Sequence, residues 1–337
     1  MTFAKFAHAV QTEGKMSIVR AMKTQSRELV VAGTHQSKPN EILVYHKLSF
    51  DHFVLKQAID VPADVNDICV LSDSQFAVAL GNGCLLVFEQ STSDFKQSMR
   101  FQTSWKGACT SLLALNDRLY VGTEAGELFI YNFKTEQKTE KLIMRNMATV
   151  MDLCSINDTS VACAQLNGSV VILITLIEGS GSSPANGITA LDSHPAFHGL
   201  FAFGTESGTV GFFDCKIGKR SALYELGEGP IWELKFHPDH EGCLTAALNG
   251  GRLVQFDINV INRPENGEDA ETKNKREGFT TSRIHNAIYE LDVVDPGASV
   301  NSFDHLKGSL TYIAALESHQ LVSARLEKVK CSVSESC

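Results

Sequence analysis

The chain has 337 residues, with 30 Lys+Arg against 39 Asp+Glu and a formal net charge of −9, which argues against broad electrostatic binding to nucleic acid. A hydrophobic fraction of 43% beside 20% charged residues excludes global disorder. No uninterrupted apolar run approaches the ~18 residues of a membrane-crossing helix, and the opening MTFAKFAHAVQTEGK lacks the long apolar stretch of a secretory signal.

In chain order, the first candidate element is FAKFAHAV (3–10), which alternates imperfectly because His8 falls among the apolar positions Ala4, Phe6 and Val10. A turn residue followed by a hydrophobic strand then recurs seven times. The runs are NEILVY (40–45), GCLLVF (83–88), GELFIY (126–131), GSVVIL (168–173), GTVGFF (208–213), GRLVQF (251–256) and HQLVSA (319–324). Successive starts differ by 43, 43, 42, 40, 43 and 68. Five of these six intervals match the ~40–45 residues of a four-stranded propeller blade, and the sixth calls for an insertion.

A preceding strand joins each of the middle runs through a tight turn, as in FAVALGNGCLLVF, RLYVGTEAGELFIY and SVACAQLNGSVVIL. Asn82-Gly83 and Asn167-Gly168 are hairpin signals, because Asn and Gly tolerate positive φ. Upstream of each pair lies another strand: 64–71, 108–115, 149–156, 187–194 and 230–237. Downstream lies a more polar one, as in 94–101, 140–145 and 219–226. This gradient from apolar inside to polar outside predicts four-stranded sheets stacked radially. The expected fold is all-β: a seven-bladed WD-repeat β-propeller filling 1–337. The Trp-Asp dipeptide that ends a WD repeat's third strand survives as Phe213-Asp214 and Phe256-Asp257.

The seventh blade has strands near Ser299-Asp304, Ser309-Leu316 and Gln320-Leu326, and the N-terminal run is expected to supply its fourth. The competing closer is Lys328–Val333, where Val329, Cys331 and Val333 alternate more cleanly. After Leu173 the chain reads ITLIEGSGSSPANG, so blade four's outer strand is expected to be short or missing. After blade six, residues 259–283 read as a charged flexible insertion, with nine charged residues in the sixteen from Arg263 to Gly278. Residues 327–337 read as a polar tail. Nine cysteines without a CxxC pair, several inside apolar strands, are read as reduced core thiols.

No GxSxG, P-loop, HExxH or paired CxxC motif is present, so neither catalytic residues nor a cofactor or metal site is expected. His194 and His237, each before a proline, read as turn histidines bonded within their blades. The innermost strands begin with Ser17, Val65, Thr110, Val150 and Ile231, whereas an enzymatic propeller would place His or carboxylates there. Function is therefore sought in surface contacts. Candidate partner-binding residues are Trp105 and Phe197, in loops, and Trp232, in the first strand of blade six. For Trp232 the core or the channel lining is favoured over a partner contact, and truncating a buried Trp to Ala costs roughly 3–5 kcal/mol.

Several stretches resemble the nucleoporin forty-three family, WD-repeat subunits of the outer-ring Y complex of the nuclear pore. They are Ala4-Lys5-Phe6, Asp64-Val65-Asn66-Asp67 with Gly83 to Phe88, Asp192 to Pro195 with Gly204 to Gly208, Ile231 to Pro238, and Ser299 to Asp304. The Trp-Glu-Leu-Lys-Phe-His-Pro and Ser-Val-Asn stretches are the most specific of these. Blade four's trimmed outer strand and the Phe-Asp dipeptides depart from the family pattern. The resemblance implies a monomeric scaffold propeller within a hetero-oligomer. Its partners would be other Y-complex nucleoporins, with docking on the short arm near nucleoporin eighty-five. It implies location at the nuclear envelope in the pore complex, kinetochore association in mitosis for animal members, and no direct nucleic-acid contact or membrane insertion. The rival reading is another WD-repeat adaptor, such as a ubiquitin-ligase substrate receptor. The Arg such receptors often carry after Trp-Asp is replaced here by Cys215-Lys216 and Ile258-Asn259.

Overall fold

The computed structural model describes residues 4–24, 27–49, 52–103, 107–135, 137–143, 148–174, 177–181, 186–215, 219–227, 229–257, 288–292, 298–306, 308 and 311–326. Among these, every regular element is a strand, and the strands form seven antiparallel four-stranded sheets. Six sheets are consecutive in sequence; the seventh joins the N-terminal strand Ala4–Gln11 to Gln320–Leu326, Thr311–Leu316 and Val300–His305. The expected seven-bladed ring, closed through blade seven by the N-terminal strand, is therefore the observed one. The segment 328–333, the insertion 259–283, the tail 327–337 and Trp105 lie outside the described residues.

The closing strand also accounts for its own imperfect alternation. Its register against Gln320–Leu326 slips between Phe6 and His8, so Phe6 pairs with Ala324 whereas His8 pairs with Ser323. A bulge of this kind sets the residues on its two sides one position out of phase along the strand. A strict period of two could not have survived it.

The innermost strands are Met16–Lys23, Val65–Val70, Cys109–Leu115, Val150–Asn157, Ile188–Ser193, Ile231–His237 and Val300–His305, for blades one to seven. Apolar residues of adjacent blades merge into seven clusters, one at each junction. Inner strands are thus covered on both faces, which is why runs such as Phe76–Leu80 are apolar throughout. Blade four does have an outer strand, but at Ile177–Gly181 it spans only five residues. Blade six resumes beyond the insertion, with Ile288–Asp292 as its outer strand.

The recurrent turn glycine has a backbone cause. Gly83 and Gly168 adopt φ of 78° and 83°, a left-handed conformation that costs glycine little. Blade seven places His319 at the equivalent point, at φ 62°, and its carbonyl accepts the Thr12 amide at 2.8 Å. Another glycine matters for close approach: a Cβ on Gly122 would stand 2.5 Å from Val150 Cγ1 of the next blade. The described cysteines Cys69, Cys84, Cys109, Cys154, Cys163, Cys215 and Cys243 are all free, and five of them are buried.

A charged channel and its mouth as the candidate site

Every innermost strand slips register at its second residue, between Met16 and Ile18, Val65 and Asp67, Cys109 and Ser111, Val150 and Asp152, Ile188 and Ala190, Ile231 and Glu233, and Val300 and Ser302. The second residues are Ser17, Asn66, Thr110, Met151, Thr189, Trp232 and Asn301. Where this side chain can donate, it does so to the carbonyl of the first residue of the next blade's inner strand. Asn66 reaches Cys109 O at 2.8 Å, Thr189 reaches Ile231 O at 2.6 Å, and Asn301 reaches Met16 O at 2.7 Å. Ser17 bonds Val65 O and Thr110 bonds Val150 O in the same sense. Met151 carries no donor, and the Trp232 indole N–H makes no such bond among the described residues, so the circuit is broken at two of the seven junctions.

One step deeper, channel-lining acids satisfy backbone amides of the following blade. Asp67 accepts from Leu112 N at 2.7 Å, Asp152 from Leu191 N at 2.7 Å and Asp192 from Phe236 N at 2.6 Å. Glu233 accepts from Phe303 N at 2.8 Å, and Asp304 from Ala21 N at 2.8 Å. An innermost strand is a sheet edge with unpaired amides, and these carboxylates are the partners those amides would otherwise lack.

Two cations knit three of the acids together. Arg20 contacts Asp67 at 3.0 Å and Glu233 at 2.8 Å, while Lys235 contacts Glu233 at 3.3 Å and Asp304 at 2.9 Å. Burial opposes the charge on Arg20, but Glu233, Asp67 and Asp304 more than offset it, so its pKa lies above the usual guanidinium value. Burial likewise opposes the ionised form of Asp304, yet Lys235, Arg20 and the Ala21 amide hold its carboxyl below the usual range.

Among the described residues, no ion pair reaches Asp152 or Asp192. Burial pushes Asp152 up to about 8 and Asp192 up to about 7. A carboxyl whose folded pKa exceeds its unfolded value stabilises the fold most at low pH and loses that contribution as pH rises through the folded pKa. From the ordinary value of 3.8 to about 8, Asp152 therefore erodes stability. The wild-type advantage over Asp152→Asn is expected to shrink by several degrees of melting temperature between pH 5 and pH 8.5. Thermal melts at both pH values check this; a constant gap would refute the burial argument.

The arrangement has clustered acids, which the strand starts had argued against, because the charged positions lie two to four residues inside each strand. Asp67, Asp152 and Glu233 are third residues, while Arg20, Asp192, Lys235 and Asp304 are fifth. Their oxygens are committed to amides and cations, so the cluster acts as a charged plug joining the blades. Among the described residues, no group of three or more His, Cys, Asp and Glu is placed to hold a metal ion. Each turn histidine bonds within its own blade and also meets a ring of the next: His194 Nδ1 accepts the amides of Ala196 and Phe197 at 3.1 Å each and its ring lies 4.9 Å from that of Phe236, while His237 Nδ1 accepts the amide of Asp239 at 3.1 Å and its ring lies 4.6 Å from that of His305.

Trp232 and Phe197 are not brought together. Trp232 sits where inner strands begin, lining a mouth of about 370 Å³ with Met151, Thr189 and Asn301. Phe197 follows an inner strand's end, hence on the opposite face of the disc, with its ring 4.6 Å from that of His194. Both are exposed, at 43% and 53%. Trp232 is thus channel-lining at the rim, and the cost of truncating a fully buried Trp does not apply. Trp232→Ala is expected to cost less than about 1.5 kcal/mol in a denaturant titration.

Fold and mouth together define the class: a WD-repeat-type propeller, built as a scaffold or adaptor. No protein-family profile matches the chain. Among characterised proteins, the mouse protein Nucleoporin Nup43 is 18% identical, in a match that covers 77% of this chain and 76% of that protein.

Proposed function

We propose that this chain is a structural subunit of the outer-ring Y complex of the nuclear pore, supporting pore assembly and transport through protein contacts and without catalysis. The observation that carries the reading is the likeness to Nucleoporin Nup43 across 77% of the chain. Channel acids bound to backbone amides suit a rigid scaffold better than a reaction centre. In this reading the propeller docks on the short arm of the Y, with nucleoporin eighty-five as neighbour, and is carried to kinetochores in mitosis. Trp105, Phe197 and Trp232 are its candidate contact residues.

The test is to tag the protein in cells, image it and identify what co-purifies. A nuclear-rim signal with outer-ring nucleoporins is expected. A diffuse signal with ubiquitin-ligase subunits would overturn the reading in favour of an adaptor of another kind.

A further inference from the structure

The two faces of blade six are packed differently. Toward blade five it presents Leu244, Ala246, Leu248, Val254 and Phe256, all buried and apolar. Toward blade seven it presents Ala247 and Leu253, and strand alternation puts Cys243, Thr245 and Gln255 on that same face. The Thr245 hydroxyl reaches across to the Tyr312 hydroxyl at 3.3 Å. Gln255 Nε2 donates to Cys243 Sγ at 2.5 Å, and its Oε1 is buried with no partner among the described residues. The rim of this seam also lacks a bond, since Trp232 stands where Asn66 and Asn301 each reach the next blade's carbonyl.

At its other end the seam holds a column of imidazoles. The rings of His240, His237 and His305 follow one another at 4.6 Å per step, and His305 lies a further 4.6 Å from the Tyr312 ring. His237 belongs to blade six and His305 to blade seven, so the column crosses the seam. His237 is fully buried and His305 is 5% exposed. Neither ring nitrogen of His305 has a hydrogen-bond partner among the described residues. A proton added there would make a buried charge with no acceptor. Burial, the neighbouring His237 and the Lys235 ammonium oppose that charge; Asp304 and the Lys235 backbone favour it, and they lose, so His305 is held down at about 3. Across the channel, Arg20, Lys23, Glu28, Asp73 and Asp192 line the cavity that His305 borders, and none of their carboxylates reaches its nitrogens.

We propose that the seam between blades six and seven is an acid-sensitive joint, at which the ring parts first. Once the seam opens, water lets His305 take up a proton near the ordinary 6.5, whereas the closed seam admits one only near 3. Closure is therefore strongest above pH 6.5 and weakens as pH falls from there toward 3. The Lys235–Asp304 pair spans the same seam and stays ionised through this range, because Asp304 lies below the usual carboxylate value. The seam between blades four and five responds in the opposite sense: Asp152 accepts the Leu191 amide across it, and its raised carboxyl favours closure at low pH. Acid thus loosens one seam while it tightens another. The inference goes beyond the scaffold reading and does not depend on which assembly the chain joins.

The test is hydrogen exchange of the full chain at pH 7.5 and pH 5, corrected for intrinsic rates. In segments 231–237 and 300–305 protection is expected to fall roughly thirtyfold at pH 5, the ratio that one imidazole moving from 6.5 to about 3 produces. In segments 150–157 and 188–193 protection should hold or rise. His305→Phe keeps a ring and cannot take the proton, so it should flatten the change at the seam to less than about threefold. Trp232→Asn, which supplies the missing rim donor, should slow exchange of 300–305 at both pH values. Unchanged protection at the seam, or an equal loss in all seven blades, would overturn the proposal on the wild-type chain alone. A thirtyfold loss that persists in a folded His305→Phe chain would overturn it as well.

Discussion

Deleting residues 2–10 is expected to lower the melting temperature by roughly 10 °C or more, the largest effect of any short truncation. The N-terminal strand contributes seven register pairs to Gln320–Leu326, from Ala4↔Leu326 to Gln11↔Gln320. Just beyond it, Thr12 caps the turn: its amide and hydroxyl both bond His319 O, at 2.8 and 3.0 Å. Removing the strand leaves blade seven three-stranded and opens an edge in a ring whose stability depends on closure. Net values of about 0.5–1.5 kcal/mol per backbone hydrogen bond give a loss of several kcal/mol. A calorimetric scan of the truncated chain measures it, and adding residues 2–11 as a separate peptide should recover part of the loss. An unchanged melt would mean that the ring does not depend on this strand.

Replacing Arg20 by Ala is expected to cost about 3–5 kcal/mol, because it takes from Asp67 its one cation among the described residues and from Glu233 one of its two. Arg20 holds Asp67 and Glu233 together across blades two and six, and its Nε also bonds Ile68 O at 3.0 Å. Arg20→Lys should recover only part of this, since an ammonium cannot span both acids and the carbonyl in one plane. The sign of the pH effect is also fixed. Without the guanidinium the Asp67 carboxyl, already raised by burial, titrates higher still in the folded state, so stability is lost as pH rises through its new range. The deficit should be larger at pH 8 than at pH 5. Urea titrations at the two pH values measure it; an equal loss at both would show that Arg20 acts by packing alone.

The blade count was legible in the sequence because one feature is repeated at fixed spacing: a left-handed turn residue before an apolar strand, as at Gly83, Gly126 and Gly168. Closure was legible only in outline. The slip at Ala7 breaks the alternation by which a strand is recognised, and the more regular 328–333 competed with it. The channel was not legible. Strand starts are the positions expected to face the axis, but the bulge at the second residue of every inner strand moves the charged channel-facing set inward, to Asp67, Asp152 and Glu233. Aligning the seven inner strands on the apolar residue before each bulge would have brought those acids into one column. Trp232 was singled out for its type. Its meaning comes from the column just before, where its equivalents are Ser17, Asn66, Thr110, Met151, Thr189 and Asn301.

The pairing of Ala4 with Leu326 joins positions separated by 326 − 4 = 322 residues. At synthesis rates of about 5–20 residues per second, the interval between making one and making the other is roughly 16–64 s. Throughout that time the first strand on the ribosome has no sheet to join, while the blades behind it fold in order. The ring is therefore a product of the finished polypeptide, and a chain stalled before blade seven would display the same adhesive strand that later seals it.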